Sequence, residues 1–466
     1  MSSPEISVSG GAGGIEAELA DLVALARSSS ELAEELASTS LTCHGLLADP
    51  DLLASAVLDP AGVARFSAAL LDALDGPRGL TVLAATFAAR AITLQGAAAA
   101  YEAADAALAE LADTVDWAQG FFWPATVGGL LLEGAGRLLA DPVGTAVDTA
   151  ALVDDPERWL TEHPGVVDEL VGSLPGAGSL VGVLTGGLAS PWLCGGDVRS
   201  AARRLGLLWP DGTPVVTTLP DDDKVGAVTP PRTVADLMVA LNRRATASRA
   251  EQDQIDVRVL THADGTRAYI VDIPGTADWS LPGGPVNPQT HDLGTNVRVL
   301  GGDVTTRQEA IAEALRRAGA GPSDPVMLVG HSQGGMVAAQ AAHDARTPAF
   351  DFDVRSVVTA GSPIARAGVP PSVQVLALEN AHDVVPHLDS RKNDDDPNVT
   401  TVTFDVQRGS IGDNHGIAGA YQYGAEAVDR SDDPSIAAFR VHSAPFFVRP
   451  GEQATVVAHV YEIGRK

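Results

Sequence analysis

Cysteine is nearly absent: Cys43 and Cys194 are the only two, which allows one disulfide but fits two reduced thiols equally, so the redox compartment stays open. Positive charge is also scarce. Lys and Arg total 31 against 60 Asp and Glu, a net charge of -29. That balance disfavours nucleic acid and anionic membrane surfaces as electrostatic partners and favours solubility. The opening residues, Met1-Ser2-Ser3-Pro4-Glu5, have no basic stretch followed by an apolar one, so export through a Sec-type signal is not expected. One uncharged run, Leu170 to Cys194, is long enough to span a bilayer, but its glycines with Pro175 and Pro191 make it a poor helix former.

What the chain has is length and two grammars. At 466 residues it has room for two domains, each with its own core. Residues 1–14 read as a disordered leader. From Ile15 the apolar residues recur at three and four, through Leu19, Leu22 and Leu25 to Leu41, then through Pro50 to Leu74, then from Leu80 to Leu111. Their length and spacing predict helices of an antiparallel bundle, and a helical domain, bundle or cap, is expected over 15–205. Pro210-Asp211-Gly212-Thr213-Pro214 and the acidic Pro220-Asp221-Asp222-Asp223 belong to a linker over 206–250, which also holds a helix from Val234 to Ala247.

From 251 to 466 strands alternate with helices. Val257–Leu260 and Arg267–Ile273 read as a hairpin around Asp264-Gly265. An irregular Pro/Gly-rich loop is expected from Pro274 to Gly302, a helix from Thr305 to Ala318, and strands at Val354–Thr359, Val373–Leu378 and Val399–Phe404. Phe439–Val448 and Thr455–Ile463 read as a closing strand pair. The class is α/β, with a mainly parallel, three-layer sheet.

The informative stretch is Pro325 to Ala342. A short apolar run ends at Gly330-His331-Ser332-Gln333-Gly334-Gly335, and small residues in helical spacing follow. Glycine two positions either side of Ser332 lets a strand turn sharply into a helix and leaves the serine hydroxyl at the helix's positive end.

This G-x-S-x-G in a βα alternation resembles the α/β-hydrolase family, its lipase and esterase branch, over roughly Asp256 to Lys466. The resemblance implies the chain order serine, acid, histidine, because a serine hydroxyl needs a base and the base an orienting acid. The acid is expected behind the strand Val373–Leu378: Asp383, flanked by apolar residues, with Glu379 as the alternative. The histidine is expected after Val399–Phe404: His415, between glycines, with His387, His442 and His459 as rivals. His331 is expected to be structural. The two N–H groups of an oxyanion hole are assigned to Gln333 and to Thr276, with Gly275 as fallback. The loop Trp279 to His291 is long enough to line or cover an acyl pocket. No metal or organic cofactor is required.

The function expected is therefore a serine hydrolase of carboxylic esters acting through an acyl-enzyme, with a small-molecule or lipid ester as substrate and membrane contact left open. In the N-terminal half, Tyr101 and Asp105 form a Y-x-x-x-D on an alanine-rich helix that resembles the helical-hairpin substrates of type VII secretion in actinobacteria. That resemblance implies an alternative: a secreted or envelope-associated interaction or effector protein, its helical half binding a secretion chaperone or machine. Cytoplasmic location and a type VII-like export both stay open.

Overall fold

The computed structural model describes residues 6–11, 15–96, 161, 162, 164, 197–220, 228–247, 252–280, 282, 286–393 and 395–466. The Y-x-x-x-D at Tyr101 and Asp105, the uncharged run Leu170 to Cys194 and the acidic turn at 221–223 lie outside them. The chain divides into two compact units: Ile15–Leu111, and Met1–Gly14 together with Ala112–Lys466.

The first unit is helical. One helix runs from Ile15 to Gly45. The next expected helix is two, Pro50–Ser55 and Pro60–Asp75. The break follows from chemistry repeated in the sequence: Asp49-Pro50 and Asp59-Pro60 each place a capping carboxylate before a proline, which starts a helix but cannot continue one. A further helix covers 80–96. Asp75 joins three of these segments by accepting from His44 Nε2 at 2.8 Å and from Thr81 Oγ1 at 2.9 Å. Among the described residues no helix is long and apolar enough to cross a membrane.

The second unit is built on a nine-stranded sheet. Numbered along the chain, its strands are β1 (Ile6–Gly10), β2 (Pro214–Thr218), β3 (Asp253–Thr261), β4 (Arg267–Ile273), β5 (Pro325–His331), β6 (Asp353–Ala360), β7 (Gln374–Asn380), β8 (Val399–Phe404) and β9 (Thr455–Arg465), in the order β1-β8-β7-β6-β5-β4-β3-β9-β2. β4 through β8 are parallel. β1, β3, β9 and β2 join antiparallel.

β5 shows why the central strands are apolar at every position: alternate side chains enter two separate cores. Val326 and Leu328 pack with Ile311, Leu315, Val337 and Ala341 from the helices Thr306–Arg317 and Gln333–His343. Met327 and Val329 pack on the other face with Leu237, Leu241, Val428 and Phe439 from Val234–Ala247, Gln422–Arg430 and Pro434–His442. The result is three layers.

Five expectations are corrected. The presumed leader carries β1, which pairs with β8 from Ile6 opposite Phe404 to Gly10 opposite Thr400. The presumed linker carries β2, and Asp211 accepts from Thr306 and pairs with Arg465 at 2.9 Å, so that segment is sheet edge. The helix Val198–Gly206, expected in the bundle, falls within the sheet unit. The presumed loop from Pro274 to Gly302 ends in a helix, Leu293–Leu300, capped by Asp292. The closing strand pair is one strand only: Asp433 and Pro434 start a helix through Phe439, leaving β9 to pair with β3.

The hairpin β3–β4 buries a bidentate ion pair, Arg258 Nε and Nη2 to Asp272 at 2.6 and 2.7 Å, with both side chains at most 1% exposed. Removing one partner strands the other charge. Arg258→Met is expected to lower the unfolding free energy by about 3–5 kcal/mol, and the double variant Arg258→Met/Asp272→Leu to recover most of it. Urea unfolding checks both; a loss under about 1 kcal/mol for the single change contradicts the account.

Candidate active site

Ser332 sits where β5 turns into the helix Gln333–His343, at φ 54° and ψ -124°, one of three described non-glycine residues with positive φ. The turn is tight enough to need glycine on both sides. A Cβ on Gly330 would lie 2.3 Å from Gly334 C, and one on Gly334 would lie 2.0 Å from Ile273 O. Ser332 N donates to Ala360 O of β6 at 2.9 Å, and Ser332 O accepts from Gly335 N at 3.0 Å, so the strained residue is held from both directions.

Asp383 follows β7 and is fully buried. Its Oδ2 accepts from His415 Nδ1 at 2.7 Å and from Tyr421 Oη at 2.5 Å, and its Oδ1 accepts from Val385 N at 2.9 Å. With Nδ1 donating to the carboxylate, Nε2 is the other ring nitrogen of His415. Glu379, the alternative acid, lies on β7 and accepts from Asn393 Nδ2 at 2.7 Å.

His415 ends a short helix, Ile411–His415, where a loop was expected. Asn380, at the end of β7, fastens that segment to the acid's loop: its Nδ2 donates to Val406 O at 2.9 Å and to Asn414 O at 3.0 Å, while its Oδ1 accepts from Val406 N at 3.1 Å. The rival histidines are elsewhere. His387 lies in the turn Val385–Asp389, His442 at the end of Pro434–His442, and His459 on β9 opposite Val257.

His331 supports His415. Its Nε2 donates to His415 O at 2.8 Å, and the two rings lie 4.3 Å apart. Burial, reinforced by the neighbouring His415, pushes its pKa down from 6.5 to about 3. His331 therefore stays neutral near neutral pH.

Three contributors were not anticipated. Tyr421 lies on a π-helical turn, Ile417–Tyr421; burial and the Asp383 carboxylate push its hydroxyl well above its ordinary range, so it is a donor. Gly361 adopts φ 60°, and a Cβ there would lie 2.8 Å from Tyr421 Oη and 2.9 Å from both Asp383 Oδ2 and His415 Cε1. Asn380 is the third. A π-turn and a clamp formed across the fold leave no local pattern; Gly361-Ser362-Pro363 after β6 was the one available signal.

A cavity of about 340 Å³ opens at Ser332 and His415. Its walls include Thr276, Leu293, Val297, Leu300, Met336 and Leu388, and among the described residues His415 is its only ionisable group. Thr276 and Gln333 border it. The Gln333 N–H is the first of its helix and has no intrahelical acceptor. A Cβ on Gly275 would come within 3.0 Å of Ser332 Cβ, so the backbone before Thr276 passes beside the nucleophile candidate. Trp279, at the start of the expected covering loop, lines the cavity while 65% exposed. That loop is closed at its base by Leu293 N donating to Asp278 O at 3.0 Å. Among the described residues no group of three or more His, Cys, Asp or Glu is arranged to hold a metal ion.

A serine at a strand-to-helix elbow, an aspartate after β7 and a histidine after β8, in a mainly parallel sheet, decide the architecture. The fold is that of the α/β hydrolases. Residues 289–441 match a family model described as a PGAP1-like alpha/beta domain. The match supports a hydrolase of the lipase or esterase kind. It does not extend to the N-terminal helices and lends nothing to their resemblance to secretion substrates. No curated protein and no solved structure matches the chain.

The depressed His331 pKa has a measurable consequence. Its folded value, about 3, lies below its ordinary 6.5, so its stabilising contribution is complete above about pH 6.5 and is lost as pH falls toward 3. His331→Gln, which keeps a donor for His415 O, is expected to show a shallower loss of unfolding free energy between pH 6.5 and 4 than the parent, by up to about 1.4 kcal/mol per pH unit. Parallel slopes in urea unfolding contradict this.

Proposed function

We propose that this chain is a serine hydrolase that cleaves carboxylic esters of apolar acids. The carrying observation is the 2.7 Å hydrogen bond from His415 Nδ1 to the buried Asp383, with His415 and Ser332 lining one cavity. His415 Nε2 takes the Ser332 hydroxyl proton as Oγ attacks the ester carbonyl. The oxyanion is met by the N–H groups of Gln333 and Thr276. His415 returns the proton to the leaving alcohol. Water, deprotonated by the same nitrogen, then releases the acid and frees Ser332. Asp383 steadies the imidazolium, and Tyr421 and Val385 hold the carboxylate in place.

The cavity favours an apolar acyl group, because its walls offer no charge and few polar atoms to a polar one. Each methylene buried there is worth about 0.8 kcal/mol, or roughly fourfold in kcat/KM. Hydrolysis of p-nitrophenyl acetate, butyrate and hexanoate is expected to rise in that order, and Ser332→Ala, His415→Ala and Asp383→Asn to lower kcat by about 10³-fold or more. Full activity in Ser332→Ala, or a flat response to chain length, contradicts the reading.

A further inference from the structure

The two supports of the proposed oxyanion hole are on different elements, the Pro274–Thr276 segment after β4 and the first turn of the helix Gln333–His343. One buried side chain touches both. Arg307, fully buried on the helix Thr306–Arg317, donates from Nη1 to Gln333 Oε1 at 2.5 Å and from Nη2 to Pro274 O at 3.1 Å. Gln333 is held at its other end too, its Nε2 donating to Asp292 O at 2.6 Å. Arg307 is not among the residues lining the cavity.

The guanidinium is itself anchored. Nη2 also donates to Asp253 Oδ1 at 2.9 Å, and Thr290 Oγ1 donates to Asp253 Oδ2 at 2.5 Å. Burial alone would raise the Asp253 carboxyl, but Arg307 and His291 outweigh it and hold it below the usual carboxylate range. An ionised Asp253 thus fixes a planar fork from which Nη1 reaches the helix at Gln333 and Nη2 the segment at Pro274, while Nε has no partner among the described residues.

We propose that Arg307 is a positioning residue that sets the spacing between the Thr276 and Gln333 N–H groups. It rests on the hydrolase reading above. Oxyanion donors act only where the charge develops, and a displacement near 1 Å costs about a hundredfold in rate. A lysine keeps a charge for Asp253 but cannot span both acceptors.

The test is steady-state hydrolysis of p-nitrophenyl butyrate by the full chain carrying Arg307→Lys, Gln333→Met or both. Gln333→Met retains the backbone N–H and the Arg307–Asp253 pair, and so carries the test alone if Arg307→Lys does not fold. The expected result is a kcat lower by about ten- to a hundredfold, KM within about twofold, an unchanged pH midpoint of kcat/KM, and a double variant no worse than the worse single. If the parent is active and Ser332-dependent while the folded variants keep kcat within about twofold, losing only thermal stability, the positioning role is overturned and the hydrolase reading stands. If the parent's activity is absent or survives Ser332→Ala, both fall.

Discussion

A single residue is held where its backbone would not rest by itself. Ser332 at φ 54° costs of order 1–3 kcal/mol, and the strain persists because everything around it is over-determined. β5 is fixed between two parallel neighbours, the helix after it is buried against the sheet, and two glycines remove the atoms that would collide. The hydroxyl is thereby presented at a cavity that the apolar face of Leu293–Leu300 helps to wall.

Around that point the electrostatics is arranged in opposite senses. Asp383 is buried yet accepts three hydrogen bonds, from His415, Tyr421 and Val385. His331, in ring contact with the same imidazole, is kept neutral by burial, which outweighs its bond to His415 O and the nearby Asp383. Tyr421 is kept protonated by burial and by the neighbouring Asp383. A positive charge arising on His415 would thus meet one negative partner and no competing cation in direct ring contact.

The sheet's centre was legible, and the three side chains proposed for the site could be singled out, because both depend on short-range pattern: apolar runs of strand length, a glycine-framed serine, and an acid and a histidine each just past a strand. The sheet's edges were not. Ile6–Gly10 and Pro214–Thr218 are short, and what makes them strands is a partner hundreds of residues away. Phe439 misled because its apolar neighbours fit either period, although Asp433-Pro434 marks a helix start. Tyr421, Asn380 and Arg307 were invisible for a different reason: each acts by joining segments that only the folded chain brings together, and an isolated tyrosine, asparagine or arginine carries no such address.

The claim on which the account depends is that the Ser332 hydroxyl is nucleophilic because His415 and Asp383 make it so. Incubation with a fluorophosphonate followed by peptide mass analysis reads that directly. The account predicts one adduct, on the peptide containing Ser332, formed fast in the parent and at least about a hundredfold slower when His415 is replaced. Labelling at another residue, or equal labelling without His415, would contradict it.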